Sequence, residues 1–126
     1  MITFESVTKT YPDGTTAVND LSLDIEEGSF TAFVGPSGCG KTTSMRMINK
    51  MIDASSGRIT VAGKDVADVP STQLRLGIGY VIQNAGLMPH RTVVDNVATV
   101  QVLRGEGRRK ARISALEAME RVGLDL

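Results

Sequence analysis

Phe30-Thr31-Ala32-Phe33-Val34-Gly35-Pro36-Ser37-Gly38-Cys39-Gly40-Lys41-Thr42-Thr43 is the stretch on which the reading of this 126-residue chain turns. Phe30–Val34 is apolar without alternation, the pattern of a strand buried on both faces in the middle of an α/β sheet. Gly35 breaks that run. Gly35 to Thr42 then fits G-x-x-x-x-G-K-[ST] in full. Glycines let the backbone curl closely around phosphate oxygens, and the N–H groups from Ser37 through Gly38, Cys39, Gly40, Lys41 and Thr42 to Thr43 form an anion nest. The helix that follows adds the positive end of its dipole. In such a loop the lysine, Lys41, reaches the β and γ phosphates, and the Thr42 hydroxyl is a Mg2+ ligand. Cys39 occupies a free position of the motif and acts mainly through its backbone.

Upstream, the chain reads as β. Ile2 and Phe4 start a strand, "PDGT" at Pro12–Thr15 carries turn chemistry, and Leu21, Leu23 and Ile25 alternate with polar residues in a half-buried second strand. Downstream, Met45, Ile48 and Ile52 recur at helical spacing beside Met47 and Met51, predicting a helix from Lys41 to about Ile52. Ile59 and Val61 alternate with Arg58 and Thr60 in a short strand closed by Gly63. "STQLRLG" predicts one or two helical turns, capped by Ser71 or Thr72 and ended by Gly77. Tyr80-Val81-Ile82 reads as a short buried strand, with Gln83 directly after it. From Thr92 the period is helical: Thr92 and Asp95 resemble a capping box, with Val94, Val97 and Ala98 on one face. Arg108–Val122 predicts a second amphipathic helix, with Ala111, Ala115, Met119 and Val122 inward and Glu117–Arg121 as an i,i+4 pair.

Composition excludes several roles. Formal net charge is zero, so a general attraction to nucleic acid or to an anionic membrane has no support. Aromatic residues make up 4% and tryptophan is absent, which leaves no stacking platform for single-stranded nucleic acid. The basic run Arg104, Arg108, Arg109, Lys110 and Arg112 reads as a solvated helix face. One cysteine cannot form an internal disulfide and suits a reducing compartment. No signal peptide or bilayer-length apolar run is visible, so the chain is read as soluble and cytoplasmic.

"GPSGCGKTT", "SSGRITVAGKDV" and "GIGYVIQNAGLMPHRTVVDNV" resemble, in order and spacing, the ATPase subunits of ABC transporters, and the resemblance runs from Met1 to Leu126. "SMRMINKMI" and "YVIQNAGLMPHRTV" are most similar to importers of quaternary-amine osmoprotectants such as glycine betaine, carnitine and choline. The resemblance implies an α/β fold: a P-loop NTPase (RecA-like) ABC ATPase core with an antiparallel β flank, cut at the start of the helical subdomain. Residues 1–90 would be the N-terminal part of the nucleotide-binding domain, and 91–126 the start of the helical subdomain. Tyr11 matches the aromatic that stacks on adenine, and Val18 a residue beside the base or ribose. Gln83 matches the glutamine that meets Mg2+ and the attacking water and links to the membrane partner. The implied ligands are ATP and Mg2+. The implied partners are a second copy of the ATPase subunit and an integral-membrane permease docked on Gln83 to Val97, with no nucleic acid. The subunit would then sit on the cytoplasmic face of the membrane through that permease. His90 is not the family's switch histidine, which lies further along the family's sequence; it reads as a surface or docking-loop residue.

The same resemblance marks what these residues do not contain. No apolar run precedes an Asp-Glu pair, and no Gly-Gly pair occurs, so the base glutamate, its Mg2+-binding aspartate and the LSGGQ-type signature are not among them. The chain is therefore expected to be the N-terminal part of a longer subunit that hydrolyses ATP to drive import, and on its own to bind nucleotide at most. An ABC ATPase of DNA repair or translation, an importer ATPase for another solute, and a plain nucleotide-binding module are the other readings these residues leave open.

Overall fold

The computed structural model describes residues 1–36, 40–82 and 86–124. They form two compact units, Met1–Ile78 and Gly79–Leu126.

The first unit is built on a sheet of order β2-β1-β3-β4, with β1 at Ile2–Thr10, β2 at Thr16–Ile25, β3 at Ser56–Val61 and β4 at Lys64–Asp65. Each neighbouring pair is antiparallel. The expected turn joins β1 to β2: Tyr11 N–H donates to the Thr15 carbonyl at 2.8 Å and Gly14 N–H to the Tyr11 carbonyl at 2.9 Å. Asp13 Oδ1 accepts from Thr15 N–H at 2.9 Å, and that bond to the charged form holds the Asp13 carboxyl below its ordinary pKa.

Phe4 and Val7 are both buried although three residues apart, which an unbroken period of two does not allow. Ser6 resolves this. It takes φ 47°, its N–H turns to Ser22 Oγ at 2.9 Å, and the β1–β2 register shifts between Phe4 and Val7. Such a bulge re-aims the strand. Gly57 faces it at φ 87°, where a Cβ would lie 2.3 Å from the Ser6 carbonyl oxygen and 2.6 Å from Val7 Cα. Only glycine fits at that crossing.

Helix α1, Lys41–Ile48, lays Met47 into the core formed by Phe4, Val7, Val18 and Ile59. It stops four residues before the expected Ile52. Asn49 is buried, its Oδ1 accepts from Met51 N–H at 3.2 Å, and Lys50 takes φ 63°. Both carbonyls at this end are bonded from α2, Ser71–Leu76: Arg75 Nε donates to Asn49 O at 3.1 Å and its Nη2 to Lys50 O at 2.8 Å. A cation at a helix C-terminus also meets the negative end of the dipole. The cap of α2 is Pro70, not Ser71 or Thr72; with its N–H missing and φ fixed, proline starts a helix without a side-chain bond.

Two expected strands do not form. Residues 30–34 carry no strand, and Phe30 is 99% and Val34 91% exposed. Residues 80–82 are likewise irregular, with Val81 93% exposed. A strand buried on both faces exists only through hydrogen-bonded neighbours, and among the described residues none pairs with either segment.

The second unit is an αα-hairpin of α3, Val93–Leu103, and α4, Arg108–Arg121. Ala98, Ala111 and Ala115 form its core with Val94 against them. Thr92 caps α3 as expected, Oγ1 accepting from Asp95 N–H at 3.2 Å. The reciprocal half of the box is replaced: Asp95 Oδ1 stands 3.5 Å from Arg112 Nε on α4. Met119 is buried, whereas Val122, expected inward, lies past the end of α4 and is exposed. The expected Glu117–Arg121 pair is not seen among the described residues, whereas Arg58–Asp65 and Arg112–Asp95 are.

Candidate nucleotide site

The site is the junction of β2 with the start of α1. Gly40 is the N-cap of α1 and takes φ 93°. A Cβ there would stand 2.4 Å from the Ala17 carbonyl oxygen and 3.1 Å from Val18 Cγ2. The backbone leaving the loop is thus pressed onto β2, and the motif's second glycine is required both by space and by conformation. Val18 itself is buried in the core with Phe4 and Met47, and its Cγ2 faces Gly40. Ser44 N–H donates to the Gly40 carbonyl at 2.9 Å, the first turn of the helix. The N–H groups of Lys41, Thr42 and Thr43, the first three residues of α1, have no partner inside the helix.

Lys41 opens α1, and its Nζ donates to the Gly35 carbonyl, closing the near end of the loop. Thr42, next on the helix, is exposed; Thr43 is half-buried, and its Oγ1 lies 3.5 Å from the Tyr11 hydroxyl. Lys9 Nζ stands 5.3 Å from the centre of the Tyr11 ring. A cavity of about 480 Å³ is lined by Thr15, Thr16, Ala17, Gly40, Lys41, Thr42 and Thr43, within the size range of small-molecule sites. Its hydroxyls, ammonium and helix entrance are groups chemically suited to an anion. A larger groove of about 610 Å³ shares Lys41 and Thr42 and is lined otherwise mostly by Ile25, Phe30, Phe33 and Met45. Its apolar walls suit packing rather than phosphate.

Of the residues singled out in the sequence, the structure gathers Tyr11, Val18, Gly40, Lys41, Thr42 and Thr43 around this junction. Ser37, Gly38 and Cys39 of the loop, and Gln83, lie outside the described residues. Among the described residues no group of three or more His, Cys, Asp or Glu could hold a metal by itself. Mg2+ fits this site nonetheless, because it is commonly held by one or two protein oxygens plus substrate phosphates, and the exposed Thr42 hydroxyl beside Lys41 supplies such an oxygen. Sequence reasoning missed Lys9 and Arg75. Lys9 carried a signal, since residues two apart on a strand share a face; Arg75 carried none, because its partners are carbonyls at the end of another helix.

The ABC transporter family model matches residues 18–126. The carnitine transport ATP-binding protein OpuCA of Listeria monocytogenes is 48% identical over 98% of this chain. The choline transport ATP-binding protein OpuBA of Bacillus subtilis (strain 168) is 48% identical over 92% of it. The chain spans about a third of these relatives, 31% of each. Among solved structures, the dimeric bacterial ABC transporter cassette MJ0796 superposes with a TM-score of 0.87 at 29% identity, over 99% of this chain and 58% of that one. No helix among the described residues is long and apolar enough to cross a membrane.

Proposed function

The chain belongs to the ABC transporter family, and from that premise we propose that it forms the nucleotide-binding part of an ATPase subunit that powers solute import, with quaternary-amine osmoprotectants as the cargo class. The observation that carries the reading is the Gly40–Thr43 helix entrance, jammed against β2 beside a cavity of hydroxyls and one lysine. ATP enters with its phosphates at the loop from Ser37 to Thr43. Lys41 exchanges the Gly35 carbonyl for phosphate oxygens, and Thr42 with Gln83 holds the Mg2+ that accompanies the nucleotide. Tyr11 receives the base on its ring, and Val18 packs beside the base or ribose.

Hydrolysis belongs to the assembled subunit, with ATP between two copies and a membrane permease docked on Gln83 to Val97 at the cytoplasmic face of the membrane. Residues 1–90 act as nucleotide-binding domain and 91–126 as the start of the helical subdomain. The cargo class rests on likeness to proteins whose names carry carnitine and choline transport.

Nucleotide binding tests the core of this reading. Charge-assisted hydrogen bonds contribute about 1.5–3 kcal/mol each, so Lys41→Ala is expected to weaken binding of a fluorescent ATP analogue by roughly tenfold or more. Equal affinity of wild type and variant removes Lys41 from the site and the phosphate reading with it.

A further inference from the structure

The segment just after Gln83 ends in a tight turn, Met88-Pro89-His90-Arg91, closed by a hydrogen bond from Arg91 N–H to the Met88 carbonyl at 3.2 Å. Proline in the second position fixes one dihedral of such a turn. A side chain from α3 holds the rest. Asn96 Oδ1 accepts from Met88 N–H at 2.7 Å, and its Nδ2 donates back to the Met88 carbonyl at 3.2 Å. The same nitrogen donates to the Thr92 carbonyl at 2.9 Å and lies 3.4 Å from the Arg91 carbonyl. The carboxamide therefore pairs with both backbone groups of one residue, as a neighbouring strand would, and ties that residue to the start of the helix.

Such pairing needs a donor and an acceptor side by side on one planar group, which among side chains of this length only asparagine supplies. These bonds do not serve the core of the unit, which is made by Ala98, Ala111, Ala115 and Val94. What they fix is exposed: Leu87 at 62% and Val93 at 52%, with Pro89, His90 and Arg91 also open to solvent. Fixing an exposed turn lowers the ordering cost of whatever docks on it.

We propose that Asn96 is the positioning residue of the permease contact: by clasping both backbone groups of Met88 it presets the Met88–Arg91 turn, and with it Leu87, in the conformation that the permease meets. The inference rests on the docking role proposed above for Gln83 to Val97. Asn96 is not one of the residues assigned to the nucleotide site above, so the effect expected of it is on partner affinity.

The test uses the full-length ATPase subunit titrated with its permease. Asn96→Ala is expected to speed hydrogen exchange at the Met88 amide and to lower permease affinity about tenfold, the worth of one or two hydrogen bonds. Affinity for ATP and the melting temperature of the nucleotide-binding part stay unchanged. Asn96→Asp keeps the acceptor for Met88 N–H but loses the donors, so it falls between wild type and alanine and carries the test if the alanine variant does not fold. Leu87→Asp, on the exposed face, serves as the control for docking. Unchanged permease affinity in both Asn96 variants, with Leu87→Asp abolishing it, overturns the positioning role and leaves the docking surface standing. Unchanged affinity in all three overturns the docking surface as well. Parallel loss of ATP affinity and permease affinity makes Asn96 a structural residue and also overturns the proposal.

Discussion

Tyr11 sits where three influences meet. Its backbone closes the β1–β2 turn, its hydroxyl is 3.5 Å from Thr43 Oγ1, and Lys9 lies over its ring. The hydroxyl contact brings the Tyr11 ring to the first turn of α1, so in the proposed site the base and phosphate ends would lie on neighbouring elements. A cation over one face of an aromatic ring attracts it by about 0.5–1 kcal/mol at exposed sites. In the proposed site the base would stack on the face opposite Lys9. Base–aromatic stacking is worth about 1–3 kcal/mol, so Tyr11→Ala is expected to lower affinity for ATP by roughly fivefold to a hundredfold. Inorganic triphosphate, which has no base, should bind the variant and the wild type alike. Equal weakening of both ligands in competition titrations would assign Tyr11 to the frame rather than to the base.

At the scale of elements, the sheet stands on one irregularity. The Ser6 bulge brings Phe4 and Val7 to the same side of β1, and Gly57 on β3 makes room for it. Gly57→Ala places a methyl group 2.3 Å from a carbonyl oxygen at a positive φ, which neither strand can relieve without losing register. Overpacking of this kind costs about 1–3 kcal/mol, and the strain of alanine at that φ adds about 1 kcal/mol. The variant should melt several degrees below wild type, and Ser6→Gly should recover little of the loss, because the colliding atoms are backbone. A melting temperature equal to wild type would mean that the β1–β3 crossing is looser than this geometry.

The hairpin strands, the helix after the loop and the α3–α4 pair were all legible in sequence, because alternation, helical spacing and Thr92 act locally. Residues 30–34 and 80–82 were not, for a physical reason. Apolar content reports a demand for burial, whereas a strand is made by neighbours that lie elsewhere in the chain. The bulge was invisible for the opposite reason: Ser6 and Gly57 are unremarkable separately, and only their pairing imposes the conformation. Of the glycine-rich motif, the helix start was legible: Gly40 is the N-cap and Lys41 the first residue of α1, both set by local geometry, while Ser37, Gly38 and Cys39 lie outside the described residues. The grip of Arg75 on the end of α1 and of Asn96 on the Met88 turn were not, because their acceptors include main-chain carbonyls, and a carbonyl has no sequence identity.

At the scale of the whole molecule, holding a nucleotide and cleaving it make different demands on the chain. The first needs a loop and a helix start; the proposed site takes its helix start from Gly40, which lies against Ala17, and Lys41, which opens α1. Cleavage needs a group that takes a proton from water and donors aimed at the charge that develops on the phosphoryl oxygens. These 126 residues contain no Asp-Glu pair after an apolar run and no Gly-Gly signature. An amide such as that of Gln83 orients water but does not accept its proton at neutral pH. General-base assistance is worth about 10²–10⁴ in rate, and the charge stabilisation that goes with it multiplies that factor. The 126-residue chain alone is therefore expected to bind ATP with Mg2+ and to release no phosphate above the uncatalysed background. A coupled phosphate-release assay on purified chain decides this, with Lys41→Ala prepared in parallel to expose contaminating ATPase. Steady release by wild type that disappears in the variant would place a working base within these residues, and Gln83 and its neighbours would be the first positions to substitute in finding it.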